Sequence, residues 1–89
     1  MTLDHEGDEP LYAQVARILI DRIDSGEYPP RRPIPSKRML VQEFEVAAGT
    51  VERALTELKR LGMVRTVIGK GLFTVPASQR KPSPRRPRR

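Results

Sequence analysis

The hydrophobic pattern of this 89-residue chain changes period at Gly62. Before this glycine, apolar residues recur at three- and four-residue spacing, as they do on one face of an α-helix. After it, the segments Val64–Val67 and Leu72–Val75 have the short period of β-strands, and Ile68–Gly71 joins them. The glycines of this connection supply the positive φ that a tight hairpin requires. Helices followed by one β-hairpin indicate a small α+β domain.

Two helices are predicted in the first half of the chain. The first follows Pro10, which suits the first helical position, and runs over Leu11–Ser25. Residues 28–35 contain four prolines and should be extended. Ser36 is a candidate N-cap for a short second helix over Lys37–Phe44. The core positions predicted for the second helix are Met39, Leu40, Val41 and Phe44.

The third helix, at about residues 48–61, has the clearest pattern. Its apolar residues fall on one face, and they are Val51, Ala54, Leu55, Leu58 and Leu61. A turn of about four residues separates this helix from the second, so the two must cross steeply, as in a helix-turn-helix motif at about residues 36–55. With the hairpin at about 64–75, the predicted fold is a winged helix-turn-helix domain over residues 9–77: three helices and a two-stranded wing.

Charge is distributed unevenly along the chain. Residues 1–9 contain four acidic residues and no basic one, whereas residues 10–75 contain eleven Lys or Arg against seven Asp or Glu. Residues 76–89 contain six basic residues, four prolines and no acidic residue. We expect disorder in the acidic segment 1–8 and in the basic tail 78–89. The excess of basic residues after residue 9 favours a polyanionic partner. A soluble domain with a functionally neutral arginine-rich tail would have the same excess.

Several functional classes are disfavoured by the sequence. Cysteine is absent, which excludes disulfides and thiolate metal sites. His5, the one histidine, lies in an acidic stretch whose composition favours a frayed terminus over a metal site. No nucleophile–base pair, metal cluster or phosphate-binding loop is evident, so we expect no enzyme activity, no cofactor and no small-molecule pocket. No apolar run approaches the ~20 residues of a membrane span. We expect a cytoplasmic protein.

Four blocks of the sequence resemble the GntR family of winged-helix regulators, in the family's order and spacing. The blocks are Pro10–Tyr12, Ile34–Leu40, Thr50–Leu55 and Gly69–Phe73. The resemblance implies a transcription regulator, a repressor, that binds a palindromic double-stranded operator as a homodimer. It also implies a recognition helix in the major groove and a wing tip, residues 69–71, in the minor groove.

The resemblance further assigns roles to individual residues. It implies that Arg38 touches DNA, that Thr50 meets phosphate or base, and that Lys70 enters the minor groove. Family members usually have Ser-Arg where this chain has Ala47-Ala48, and arginine where it has Glu52. Loss of the serine N-cap at Ala47 should cost about 0.5–2 kcal/mol of helix stability. Family members also carry an effector or dimerisation domain after the wing, whereas here the basic tail follows.

A helical wheel gives an independent view of the third helix. It places four residues opposite the leucine stripe: Gly49, Glu52, Arg53 and Thr56. In a major groove, Arg53 could bind guanine O6 and N7, and Glu52 could accept from the cytosine amino group. Gly49 would let backbone approach phosphate at the helix N-terminus. The alternatives are a surface pair between Arg53 and Glu57 and a solvated Glu52.

The full set of candidate DNA-binding residues is Ser36, Arg38, Gly49, Thr50, Glu52, Arg53, Thr56, Gly69, Lys70 and Gly71. Arg38 could instead pair with an acid such as Glu43, and Lys70 could be merely solvated. A second function is also compatible with the sequence: a winged-helix adaptor or antirepressor that binds protein and has weak DNA affinity. Ala48 and Glu52 are the main support for that alternative, because both stand where family members often have base-reading arginines and an acid in the groove can repel phosphate.

Overall fold

Three helices are followed by an antiparallel hairpin in the computed structural model, which describes residues 3, 9–76 and 79. The elements are α1 (Leu11–Asp24), α2 (Lys37–Phe44), α3 (Ala48–Arg60), β1 (Val64–Val67) and β2 (Gly71–Thr74). This order confirms the predicted winged helix-turn-helix class. Four boundaries differ by one residue, because α1 ends at Asp24, α3 ends at Arg60, and β2 both starts and ends one residue early, at Gly71–Thr74. Pro10 is the N-cap of α1 rather than its first residue.

The core forms where α1 packs against α3. The apolar stripe of α3 is confirmed, since Val51, Ala54 and Leu58 are fully buried and Leu55 nearly so. In α2 the buried positions are Leu40 and Phe44, one helical turn apart. The prediction that Met39 belongs to the core is wrong, because its side chain is 58% exposed. One residue corresponds to about 100° of helix rotation, which turns Met39 away from the face that holds Leu40 and Phe44.

The wing is a hairpin with a third short contact along its edge. β1 and β2 pair from Val64 opposite Thr74 to Val67 opposite Gly71. The proline-rich loop between α1 and α2 forms an isolated antiparallel bridge to β2 through Pro33, and the Ile34 amide donates to the Leu72 carbonyl at 2.8 Å. The predicted extended loop thus attaches the wing to the helices, as an otherwise marginal two-stranded hairpin needs.

Arg22 of α1 ties the loop and α2 to the first helix. Its guanidinium donates to the Tyr28 hydroxyl at 2.7 Å and forms a bidentate ion pair with Glu43. It also stacks over the Phe44 ring, 5.4 Å from the centroid. Hydrogen bonding to Glu43 raises the pKa of Arg22, and the same contact lowers the pKa of the Glu43 carboxyl. The Arg22 side chain is 14% exposed and that of Glu43 is 37% exposed, so solvent screens the ion pair in part.

The described residues include little of the two termini. Within residues 1–8, only Leu3 is described, and its side chain is buried against the core instead of lying in a disordered segment. The predictions for the rest of that segment, including His5, and for the basic tail fall outside the described residues, apart from Gln79. Among the residues that are described, no helix has the length and hydropathy of a membrane span.

An open cleft of about 290 Å³, not predicted from the sequence, lies beside the end of α1. It is lined by Ile23, Asp24, Gly26, Tyr28, Pro29, Pro30, Thr74 and Pro76. The Thr74 side chain is 4% exposed, and its hydroxyl has no hydrogen-bond partner among the described residues. A buried hydroxyl without a partner costs roughly 1–3 kcal/mol of desolvation.

Thr74→Val is expected to raise the free energy of unfolding by about 1 kcal/mol, because it removes the unpaired hydroxyl and keeps the branched shape. The melting temperature should then rise by roughly 4–8 °C. Thr66→Val on the exposed part of β1 is the matched control, with an expected change within about 0.5 kcal/mol. A loss of stability in Thr74→Val alone would mean that the hydroxyl is hydrogen-bonded in solution.

Candidate DNA interface

The helix-turn-helix is built from α2, a tight turn and α3. The Ser36 hydroxyl caps α2 by accepting from the Met39 amide at 3.2 Å, as predicted. Glu45 ends α2 in the left-handed conformation, with φ of 57°, which turns the chain sharply toward α3. Ala47 occupies the N-cap of α3 and provides no side-chain hydrogen bond. The start of α3 therefore keeps free backbone N–H groups, which favour an anion.

One face of α3 is open to solvent, opposite the buried stripe. The four residues that the helical wheel placed there are all exposed: Gly49, Glu52, Arg53 and Thr56. Thr50, at the side of this face, is half-buried. A Cβ built on Gly49 would meet nothing within 4 Å, so the space in front of the helix start is empty. Gly49 therefore presents no steric obstacle when the start of α3 approaches another surface, such as a DNA groove.

Glu52 is joined to α2 by an ion pair. Its Oε2 lies 2.5 Å from the Lys37 Nζ, in the first turn of α2. The hydrogen bond from Lys37 holds the pKa of the Glu52 carboxyl below its usual range. Both side chains are about half exposed. The carboxylate is therefore ionised at neutral pH, and its charge is balanced by an adjacent ammonium.

Arg53 contacts α1 rather than an acid. Its guanidinium carbon lies 4.2 Å from the centroid of the Tyr12 ring, within cation–π distance. Glu57, the alternative partner considered for Arg53, forms a bidentate ion pair with Arg60. Arg53 takes part in none of the salt bridges between described residues.

Arg38 and Lys70 present exposed positive charge on two other elements. Glu43 is bound to Arg22, and Arg38 forms no salt bridge with a described residue. The alternative Arg38–Glu43 pair is therefore wrong. At the wing tip, the Lys70 amide donates to the Val67 carbonyl at 2.9 Å and closes the turn. Lys70 lies between Gly69, with φ of 80°, and Gly71, with φ of 116°, so both glycines have the predicted positive φ.

Three residues near the candidate site were not identified from the sequence. Lys37 and Tyr12 are the partners of Glu52 and Arg53, and Ile68 at the wing tip is 94% exposed. Lys37 and Glu52 are fifteen residues apart, and no periodic signal connects such positions. The exposure of Ile68 could have been inferred, because hairpin turn residues face solvent regardless of their type.

The described residues of the candidate interface contain no cluster of potential metal ligands. Within the described residues, no three His, Cys, Asp or Glu side chains lie together as a metal site would require. What the surface offers is a helix N-terminus, an exposed α3 face and cations on α2, α3 and the wing. Such groups bind phosphate oxygens and base edges.

Comparison with protein families gives a match over residues 11–74 to the model described as bacterial regulatory proteins, gntR family. The chain belongs to the GntR family. The histidine utilization repressor of Pseudomonas putida is 41% identical over 68 residues, which cover 76% of this chain and 27% of the relative. The repressor NagR of Bacillus subtilis is 32% identical over 73 residues, covering 82% and 30%.

Solved structures of this GntR-type fold include DNA complexes. The AraR DNA-binding domain in complex with operator ORR3 superposes with a TM-score of 0.72 and 32% identity, covering 84% of this chain and 90% of that one. YtrA from Sulfolobus acidocaldarius, a GntR-family transcription factor, gives a TM-score of 0.75 at 28% identity, covering 85% and 81%. The chain spans about a quarter of the length of its two histidine utilization repressor relatives, 27% and 26%.

Proposed function

We propose that this chain binds double-stranded operator DNA sequence-specifically and represses transcription in the bacterial cytoplasm, at the nucleoid. The observation that carries the proposal is the exposed polar face of α3, with Arg53 on it, opposite a fully buried stripe. In this proposal α3 lies in the major groove and Arg53 binds a guanine through O6 and N7. The similarity to an AraR domain solved in complex with an operator supports DNA binding by this fold.

The remaining candidates complete the proposed contact surface. Arg38 would bind phosphate from the first turn of α2, and Lys70 would enter the minor groove between the two wing glycines. Ser36, Gly49 and Thr50 would lie near the backbone, and Thr56 would face the groove. We further propose that two copies pair on a palindromic operator, with recognition helices about 34–36 Å apart.

The Lys37–Glu52 ion pair bears on the alternative function as a protein-binding adaptor. That alternative has two supports: Ala48 in place of an arginine, which the ion pair does not affect, and an acid in the groove that would repel phosphate. With Lys37 at 2.5 Å, the local charge of the pair is close to zero, so the repulsion is largely removed. The pair supports DNA binding, with Glu52 available to accept from a cytosine amino group beside the ammonium.

Selection of bound sites from random duplex DNA tests the proposal. The enriched sequence should bind at least about 10³-fold more tightly than random duplex at physiological salt. It should contain two inverted half-sites one helical turn apart. If the enriched pool binds no better than random DNA, the proposed sequence-specific function is wrong and the adaptor alternative stands.

Lys70→Gln is expected to weaken binding to the selected operator and to random duplex by the same factor. A lysine that enters the minor groove from the wing tip lies between the two sugar–phosphate backbones, and contacts to phosphate and sugar carry little sequence information. The slope of log K against log salt should become shallower by about 0.9, corresponding to one lost phosphate contact. Lys59→Gln, exposed near the end of α3, is the control, and its slope should match the parent. An unchanged slope in Lys70→Gln would remove the wing tip from the interface.

A further inference from the structure

Tyr12 lies at the start of α1, outside the helix-turn-helix, yet it contacts the proposed base-binding arginine. The Arg53 guanidinium carbon is 4.2 Å from the ring centroid, so the cation lies against the aromatic surface. Tyr12 is half-buried, and Arg53 is exposed. A half-buried ring of α1 thus supports a solvent-exposed cation on the recognition helix.

The contact should restrict Arg53 without occupying its hydrogen-bonding groups. A guanidinium presents its donors at the edge of the plane, whereas a ring contacts the cation through its π surface. An arginine side chain has many rotamers, and part of this entropy is lost when the side chain is fixed on a base. A side chain that is already restricted in the free protein loses less on binding.

We propose that Tyr12 is a positioning residue for Arg53, so that base discrimination by α3 depends on the first turn of α1. The inference rests on the proposed DNA-binding function. The aromatic ring, rather than the hydroxyl, is the required group. Removing the ring surface should therefore reduce discrimination at the base pair that Arg53 contacts and leave contacts elsewhere on the operator unchanged.

Two Tyr12 variants distinguish the contribution of the aromatic ring to binding from the contributions of the hydroxyl and of side-chain volume. Tyr12→Phe keeps the π surface, and Tyr12→Leu keeps an apolar side chain without it. Each is made in the full chain and in the Arg53→Ala background, and urea unfolding confirms that each variant is folded. Binding is measured on the selected operator, on random duplex and on operators with each half-site base pair replaced.

Tyr12→Phe should bind within about twofold of the parent. Tyr12→Leu should weaken operator binding by about 2–5-fold, the equivalent of a surface cation–π contact. Its loss should be confined to the base pair that Arg53→Ala also relaxes, and it should vanish in the Arg53→Ala background. Equal weakening by Tyr12→Leu on every duplex would indicate that the ring only stabilises the packing of the domain. Weakening by Tyr12→Phe as large as that by Tyr12→Leu would indicate that the hydroxyl contacts DNA directly. Tighter binding by Tyr12→Leu would indicate that the ring holds Arg53 away from the base. Each of these results overturns the inference.

A measurement on the free protein distinguishes failure of this inference from failure of the proposed function. Ring stacking should shift the Arg53 side-chain Nε–H proton resonance upfield in the parent and in Tyr12→Phe, and Tyr12→Leu should abolish the shift. If the shift is absent from the parent, the positioning role is wrong even when DNA binds. If the shift is present and no duplex is selected, the proposed DNA-binding function is wrong and the positioning role falls with it.

Discussion

Replacing Arg53 with alanine is expected to cost about 1–3 kcal/mol of binding free energy on the selected operator. The loss corresponds to roughly 5–150-fold in the dissociation constant. It should be much smaller on random duplex, because a bidentate contact to guanine exists only where a guanine is correctly placed. Preference at one base pair in each half-site should relax, which competition with single-substituted operators would detect.

Arg60→Ala provides the matched control for this experiment. It removes the same charge from the last turn of α3, where Arg60 is already paired with Glu57. We expect it to change operator binding by less than about 0.5 kcal/mol. If both variants lose affinity equally on operator and random duplex, Arg53 contributes only nonspecific electrostatic attraction, and the base contact proposed for it is incorrect.

Arg22→Met should lower the free energy of unfolding by about 2–3 kcal/mol at pH 7. The substitution keeps an apolar stem beside Phe44 but removes charge-assisted hydrogen bonds to Tyr28 and Glu43, which contribute roughly 1.5–3 kcal/mol. The melting temperature should fall by roughly 10–20 °C. Arg17→Met on the same helix removes a 60% exposed partner of Glu9, and its effect on stability should be much smaller because solvent screens that pair. Equal losses would mean that Arg22 stabilises the fold no more than a surface pair does.

The pH dependence gives an independent test of the Arg22 network. Arg22 holds the folded-state pKa of Glu43 below its ordinary value of 4.5. The ion pair therefore stabilises the fold above that value, and this contribution disappears as the pH falls through the lower folded-state pKa. Urea unfolding of parent and Arg22→Met should show a stability difference that is largest near neutral pH and narrows below about pH 4. A difference that stays constant to pH 2 would contradict the assignment.

Elements with strong local signals were predicted well from the sequence. The stripe of α3, the bounds of α2 and its Ser36 cap, and the order of helices and hairpin all agree with the structure. These features depend on side-chain periodicity and on capping chemistry within a few residues. The start of β2 was missed by one residue because glycine is a poor strand former, whereas the hairpin register places Gly71 opposite Val67.

Contacts between elements could not be predicted, because they depend on how the helices dock. The stacking of Tyr12 on Arg53 requires α1 and α3 to pack with those two positions adjacent, and the sequence separation of 41 residues carries no such information. The same holds for Lys37 and Glu52. The exposure of Met39 was missed because hydrophobicity was taken as a sign of burial, although single exposed apolar side chains are normal on a protein surface.

The bridge between Pro33 and β2 also affects how the protein behaves in concentrated solution. A strand edge with unpaired N–H and C=O groups can recruit a strand from another molecule and start aggregation. Along β2 the chain's own loop occupies that edge, with Ile34 donating to Leu72. Prolines at 33 and 35 flank this amide and have no N–H of their own, so strand pairing cannot extend along the loop. The proline-rich segment thus ends the sheet on this side and makes the β2 edge a poor template for pairing with a strand of another molecule.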